Sequence, residues 1–173
     1  MLFRSLDPED FIPDLTRRKS GARGTTSRKE SDMPEFISGL YQGYTTGSPL
    51  AILTRNKNTI SSDYSLFDNI PRPGHADFVA KKKYSGFSDM RGSGHFSGRI
   101  TWGMAVAGVV AKKIYGQKNI TARLLSAGGS EDIEDAINKA IADNDSVGGI
   151  IECVVKDPPA GLGEPFFYSF ESA

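Results

Sequence analysis

The chain contains one cysteine, two histidines and one tryptophan among 173 residues. A lone cysteine cannot form an intrachain disulfide, and Cys153 lies in the apolar run "GGIIECVV", so it reads as a small buried core residue in a reducing compartment. Two histidines and one cysteine, far apart and without ligand spacing, do not make a zinc site, and no metal is expected. Long apolar runs are missing as well; none reaches the length that crosses a bilayer. The first ten residues, "MLFRSLDPED", hold one arginine and a brief apolar patch cut off by acids, which is not a signal peptide. The cytoplasm is therefore the expected location. Net charge is also absent, with 21 Lys and Arg against 21 Asp and Glu, so no global field draws the chain onto nucleic acid or anionic lipid.

What is present is a core-forming share of apolar residues, 38%, in a chain of one-domain length, so residues 1–173 read as a single domain. Glycines number 19 and prolines 9, many in short clusters, which predicts a loop-rich fold whose loops carry function. The charge is unevenly spread. From Lys81 to Arg123 nine basic residues face the single acid Asp89, whereas Ser130 to Ala173 carries ten acids against Lys139 and Lys156. That asymmetry suits a small anion held by the middle of the chain, and a solvated charged face produces the same pattern.

Asp7, Pro8, Glu9 and Asp10 are helix-start residues: a capping carboxylate, a proline tolerated in the first turn, and acids that complement the dipole. "RRKSGARGTTSRKE" follows as a basic loop in which Arg17, Arg18, Lys19, Arg23, Arg28 and Lys29 surround small polar residues. "FISGLYQGYTTGSPLAILTRN" alternates apolar and polar residues about "TTGSP", which predicts a hairpin turning there. From Ser97 to Gly116 apolar or small residues go nearly all the way round a helical projection, the pattern of a buried helix. Lys112 and Lys113 in its last turn and Gly116 beyond it are stop signals. A second helix is expected from Glu131 to about Ala142, capped by Ser130, then a strand in "SVGGIIECVVK".

Two loops hold the histidines. "RPGHADF", Arg72 to Phe78, sets His75 between a proline-glycine turn and an aspartate; "RGSGHFSGR", Arg91 to Arg99, sets His95 among glycines at the mouth of the buried helix. "GHFSG" lacks the spacing of a nucleophile elbow, Ser97 stands where a dinucleotide fingerprint needs its third glycine, and no phosphate-loop lysine motif occurs. What remains is an anion site with a proton donor. Arg18, Arg23, Arg72, Arg91 and Arg99 supply cationic forks, the helix start at Ser97 supplies amides, and His75 supplies the side-chain type that most readily exchanges a proton near neutrality. A hydrogen-bonded loop histidine, a non-catalytic anion or nucleotide-binding module built on Lys81 to Arg123, and a structural remnant without ligand satisfy the same residues.

The run "IPRPGHADFVAKKKYSGFSDMRGSGHFSGRITWGMAVAGVVAKKI" resembles chorismate synthase along its whole length. So do "DLTRRKSG" and "SGLYQGYTTGSPLAILTRN" before it and "DSVGGIIECVVKDPPAGLGEPFF" after it, in the family's order. The resemblance implies an α+β fold with a helical layer sandwiched between antiparallel sheets, assembled as a homotetramer. It implies anti elimination of phosphate from 5-enolpyruvylshikimate 3-phosphate to give chorismate, with reduced FMN required, no net redox change, and NADPH as a possible flavin reductant. His75 matches the family histidine that protonates the departing phosphate. Arg72 and Arg99 match substrate-facing arginines, Arg18 and Arg23 match arginines of the substrate-phosphate and NADP region, and His95, Phe96 and Ser97 match a segment lining FMN. This sequence departs from the family in lacking a Gly-Glu-Ser-His-Gly stretch and a later Arg-Ser-Asp segment, in Ser20 for proline, and in Trp102 for a small residue. It therefore reads as an internal fragment, an incomplete domain expected to be inactive alone.

Overall fold

Asp7 does what its chemistry predicts in the computed structural model, which describes residues 4–21, 23, 25, 32–56, 60–116 and 119–160. Its carboxylate accepts the Glu9 amide at 2.9 Å, while Asp10 accepts the Asp7 amide at 2.8 Å, a reciprocal capping box. Arg28 and Lys29 of the basic loop, and the aromatic end from Gly161 onward, lie outside the described residues. The chain clusters into two compact units, Met1–Ile114 and Tyr115–Ala173.

In the first unit the capped turn Pro8–Phe11 runs into α1 (Ile12–Arg18), with Pro13 harmless in the opening turn. β1 (Glu35–Ser38) pairs antiparallel with β4 (Ala51–Leu53), and β2 (Leu40–Tyr41) pairs with β3 (Tyr44–Thr45) as a tighter hairpin between them. The hairpin expected at "TTGSP" turns instead at Gln42 and Gly43. Both sit at positive φ, 48° and 77°, the handedness that matches strand twist in a two-residue loop. "TTGSP" is the return path into β4.

A 3-10 run over Ser61–Asp68, α2 (Asp77–Lys83) and the loop 90–97 lead to α3 (Thr101–Tyr115). Trp102, Val106 and Val109, spaced to share one stripe of α3, pack with Leu6, Phe11 and Leu15 into the core. Lys112 reaches both oxygens of Asp14 at 2.8 and 2.9 Å and Lys113 reaches Asp10 at 2.6 Å, so ion pairs flank this α1 and α3 contact. Burial all round α3 is not observed. Met104 is 75% exposed and Ile114 53%, because the opposite face meets no packed element among the described residues.

The second unit is a ribbon of two antiparallel strands, β5 (Ile120–Ala127) and β6 (Gly149–Val155), joined through α4 (Ile133–Ala142). Asp132 caps α4 by accepting the Asp135 amide at 3.0 Å, and Ser130 caps the preceding turn by accepting the Asp132 amide at 3.1 Å. The helix therefore starts two residues later than the serine suggests. Cys153 is exposed, not buried: β6 is one strand of a two-stranded sheet, and its Cys153 side meets no covering layer among the described residues. Helices with small antiparallel sheets make this an α+β fold. Among the described residues no helix is long and apolar enough to cross a membrane.

Candidate functional site

Three segments far apart in sequence line one cavity of about 580 Å³ in the first unit. Arg18, Lys19 and Ser20 come from the end of α1, Arg72 and His75 from the "RPGHADF" loop, and Gly92, Ser93 and the stretch from Ser97 to Thr101 from the approach to α3; Asp32 and Tyr64 complete the wall. Charged side chains on that wall are mostly cationic.

The "RPGHADF" loop is closed by Asp77, the first residue of α2. One carboxylate oxygen accepts the Arg72 backbone amide at 2.9 Å and Nε at 2.8 Å; the other accepts Nη2 at 2.8 Å. The same Nη2 donates to the Ser93 hydroxyl at 3.2 Å. The guanidinium carbon lies 4.4 Å from the Phe67 ring centroid and 5.7 Å from that of Tyr64, a partly desolvated cation on aromatic faces. Asp77 is buried, yet Arg72 holds its carboxyl down to about 2. The side-chain hydrogen bond from Arg72 is the largest cause, opposed by burial and aided by the Arg72 amide and by the charges of Arg72 and His75. The same hydrogen bond raises Arg72. His75 is exposed at the bend, with its backbone amide donating to the Arg72 carbonyl at 3.3 Å.

On the opposite wall Arg18 extends Nη1 to Asp32 at 3.1 Å, Nη2 to the Arg99 carbonyl at 3.2 Å and Nε to the Thr101 hydroxyl at 3.3 Å. Arg99 Nη2 lies 3.6 Å from the other Asp32 oxygen. The start of α3 is built locally: Ser97 Oγ accepts the Arg99 amide at 3.2 Å and Thr101 donates to the Gly98 carbonyl at 2.6 Å. Glycine is required at Gly94, since its φ is +52° and a Cβ there would stand 2.5 Å from the Asp89 carbonyl oxygen.

Of the residues singled out from the sequence, Arg18, Arg72, His75, Ser97 and Arg99 share this cavity. His95, Phe96 and Arg23 are outside its lining. The His95 and Phe96 rings lie with centroids 4.0 Å apart, and Tyr84 meets His95 edge-on at 5.7 Å. Arg91 is also outside, held by Asp89. Sequence reasoning missed Asp32, Asp77, Tyr64 and Ser93. Asp77 carried a signal, being an acid five residues after an arginine inside a turn motif; Asp32 carried none, because its partners are 14 and 67 positions away.

A family model described as chorismate synthase matches residues 4–173. The chain is 56% identical to the chorismate synthase of Chitinophaga pinensis over 168 residues, 96% of this chain and 51% of that protein. It is 39% identical to that of Thermococcus kodakarensis over 189 aligned positions, covering 95% of this chain and 53% of the relative. The relative from Dehalococcoides mccartyi is 37% identical, with 96% and 54% covered. The chain thus spans about half the length of the curated relatives it matches. With the family model matching from Arg4 to Ala173 and relatives of one name on every side, this chain belongs to the chorismate synthase family.

Proposed function

We propose that the cavity binds 5-enolpyruvylshikimate 3-phosphate and that the protein carrying this chain eliminates its phosphate to give chorismate. What supports the reading most is the convergence of Arg18, Arg72, Arg99 and His75 on one cavity from segments that share no local sequence. Arg72 offers the substrate Nη1, the nitrogen left out of its pair with Asp77. Arg18, Arg99 and Lys19 complete a cationic cradle whose planar forks suit phosphate oxygens. Holding the ester there orients the breaking carbon–oxygen bond and offsets the charge that grows on the leaving group. His75, exposed at the bend and free to reach the cavity, gives a proton from an imidazole nitrogen to a phosphate oxygen as the bond breaks.

The exposed His95 and Phe96 rings, close together with their planes tilted by 36°, present an aromatic surface of the kind a flavin ring packs against, so reduced FMN fits the residues present. Bound there, it would supply a reversible loan of electron density that weakens the carbon–oxygen bond without net redox change. Ser97 belongs to the same segment. Arg23, exposed and outside the lining, is left for a pyridine nucleotide such as NADPH. The reading extends to a helical layer between antiparallel sheets, to a homotetramer and to the cytoplasm.

Calorimetric titration of the protein with the phosphorylated substrate, anaerobically and with reduced FMN, tests it. Arg72→Ala is expected to weaken binding about a hundredfold, the scale of two lost charge-assisted hydrogen bonds. His75→Asn should leave binding in place and slow phosphate release at least about a hundredfold. Wild-type protein that ignores the substrate while its arginine variants behave identically would overturn the reading.

A further inference from the structure

Asp32 is an unexpected residue in the wall of a cavity built from arginines, since a carboxylate there subtracts from the field that attracts an anion. It is nonetheless buried, 6% exposed. Its backbone lies in the left-handed region at φ 49°, a conformation uncommon outside glycine that aspartate enters more readily than most side chains. Two sets of contacts hold the residue in place. From the core, Trp102 Nε1 donates to the Asp32 carbonyl at 2.9 Å. From the cavity, Arg18 Nη1 and Arg99 Nη2 approach the two carboxylate oxygens at 3.1 and 3.6 Å.

Two guanidiniums brought to one place repel each other, and both are long chains with many rotamers. A carboxylate between them removes the repulsion and fixes where both point. The connection therefore runs from the packed indole of Trp102, through the Asp32 backbone, to the Asp32 carboxylate and on to Arg18 and Arg99. Arg18 is tied further into the same knot through the Arg99 carbonyl and the Thr101 hydroxyl.

We propose that Asp32 is a positioning residue: anchored by Trp102, it preorganises Arg18 and Arg99 for a phosphate-bearing ligand and makes no contact with the ligand itself. The inference rests on reading the cavity as a phosphate-ester site. Preorganisation and simple charge balance predict opposite signs, which makes the test sharp. Asp32→Asn keeps the shape and removes the charge. If Asp32 only offset positive charge, the variant would bind phosphate more tightly. Positioning predicts about tenfold weaker binding, because both guanidiniums lose the group that aims them.

The experiment is a calorimetric titration with inorganic phosphate and, separately, with 5-enolpyruvylshikimate 3-phosphate, alongside urea unfolding. Trp102 is the only tryptophan, so its emission reports on the same knot. The expected result is an emission change on phosphate binding in the wild type that is lost in Asp32→Asn, with cooperative unfolding retained. Trp102→Phe keeps a ring and deletes the donor; it should weaken phosphate binding about threefold. It carries the test if Asp32→Asn fails to unfold cooperatively. Equal or tighter phosphate binding by Asp32→Asn, or by Trp102→Phe where that variant carries the test, overturns the inference. Wild-type binding of inorganic phosphate but not of the ester defeats the substrate reading, and the sign measured with phosphate still decides the role of Asp32. Binding of neither defeats both.

Discussion

The two histidine loops use the same device and differ in where it is placed. In "RPGHADF" Arg72 is forked by Asp77, and in "RGSGHFSGR" Arg91 is forked by the preceding Asp89, so each loop carries an arginine on a bidentate carboxylate. Both carboxyls are held down to about 2 by their arginine. Yet the Asp77 side chain is 2% exposed and that of Asp89 is 58%. In both the arginine's own backbone amide donates to the carboxylate, but the buried pair also receives a serine and two aromatic faces, and it borders the cavity. The exposed pair stands in water outside the lining. The lesson is that a matched pair of distances says little about consequence, because solvent sets what the pair is worth.

Removing each carboxylate should separate them cleanly. Asp77→Ala leaves a mostly buried guanidinium unpaired and should destabilise the first unit by about 3 kcal/mol in urea unfolding, with loss of substrate binding. A stability change too small to measure would place Asp77 with Asp89. Acid should act on the same pair. The carboxyl of Asp77 sits near 2 in the folded chain against 3.8 ordinarily. The folded state thus holds the charged form more tightly, and the stabilisation, about 2 kcal/mol, is complete above about pH 4 and lost as pH falls through about 2. Unfolding midpoints across that window should drop in the wild type and flatten in Asp77→Asn.

Smaller effects sharpen the view of the second loop. Gly94→Ala forces a side chain onto the Asp89 carbonyl at positive φ and should cost about 1 to 2 kcal/mol, read from the unfolding midpoint, together with weaker phosphate binding as Ser93 is displaced. The smallest change is expected from Asp89→Ala. Its midpoint should match the wild type, and any difference seen at low ionic strength should vanish in strong salt. A large, salt-resistant loss would show that exposure misjudges this pair.

Much of this arrangement was legible in the sequence. Asp7 and Pro8 announced the first helix because capping is a local matter, and the run of apolar and small residues ended by Lys112, Lys113 and Gly116 announced α3. Arg18, Arg72, Arg99 and His75 were legible through the family resemblance, which carries long-range information that spacing does not, whereas Arg23 and Arg91 stand outside the cavity. What failed was non-local or weakly coded. Gln42 and Gly43 form the hairpin turn without the usual asparagine signal, while "TTGSP" looks more like a turn and is not one. β5 carries Arg123 and Ser126 among its apolar residues, a pattern too mixed to stand out. Cys153 was misjudged because an apolar run says which residues prefer burial, and a two-stranded ribbon cannot cover both of its faces. Asp32 draws its meaning from Arg18, Arg99 and Trp102, which only folding brings near.

The packing of α1 against α3 joins Leu6, Phe11 and Leu15 to residues about ninety positions later. During synthesis α1 leaves the ribosome with its apolar stripe open; Phe36, Leu40, Leu50 and Ile52 arrive first and cover part of it, and only the emergence of α3 allows the core to close. The salt links from Asp10 and Asp14 to Lys113 and Lys112 wait equally long. Nascent chains stalled short of Trp102 should accordingly remain protease-sensitive and engage chaperones, whereas those extended far enough past Tyr115 for α3 to clear the ribosome should not.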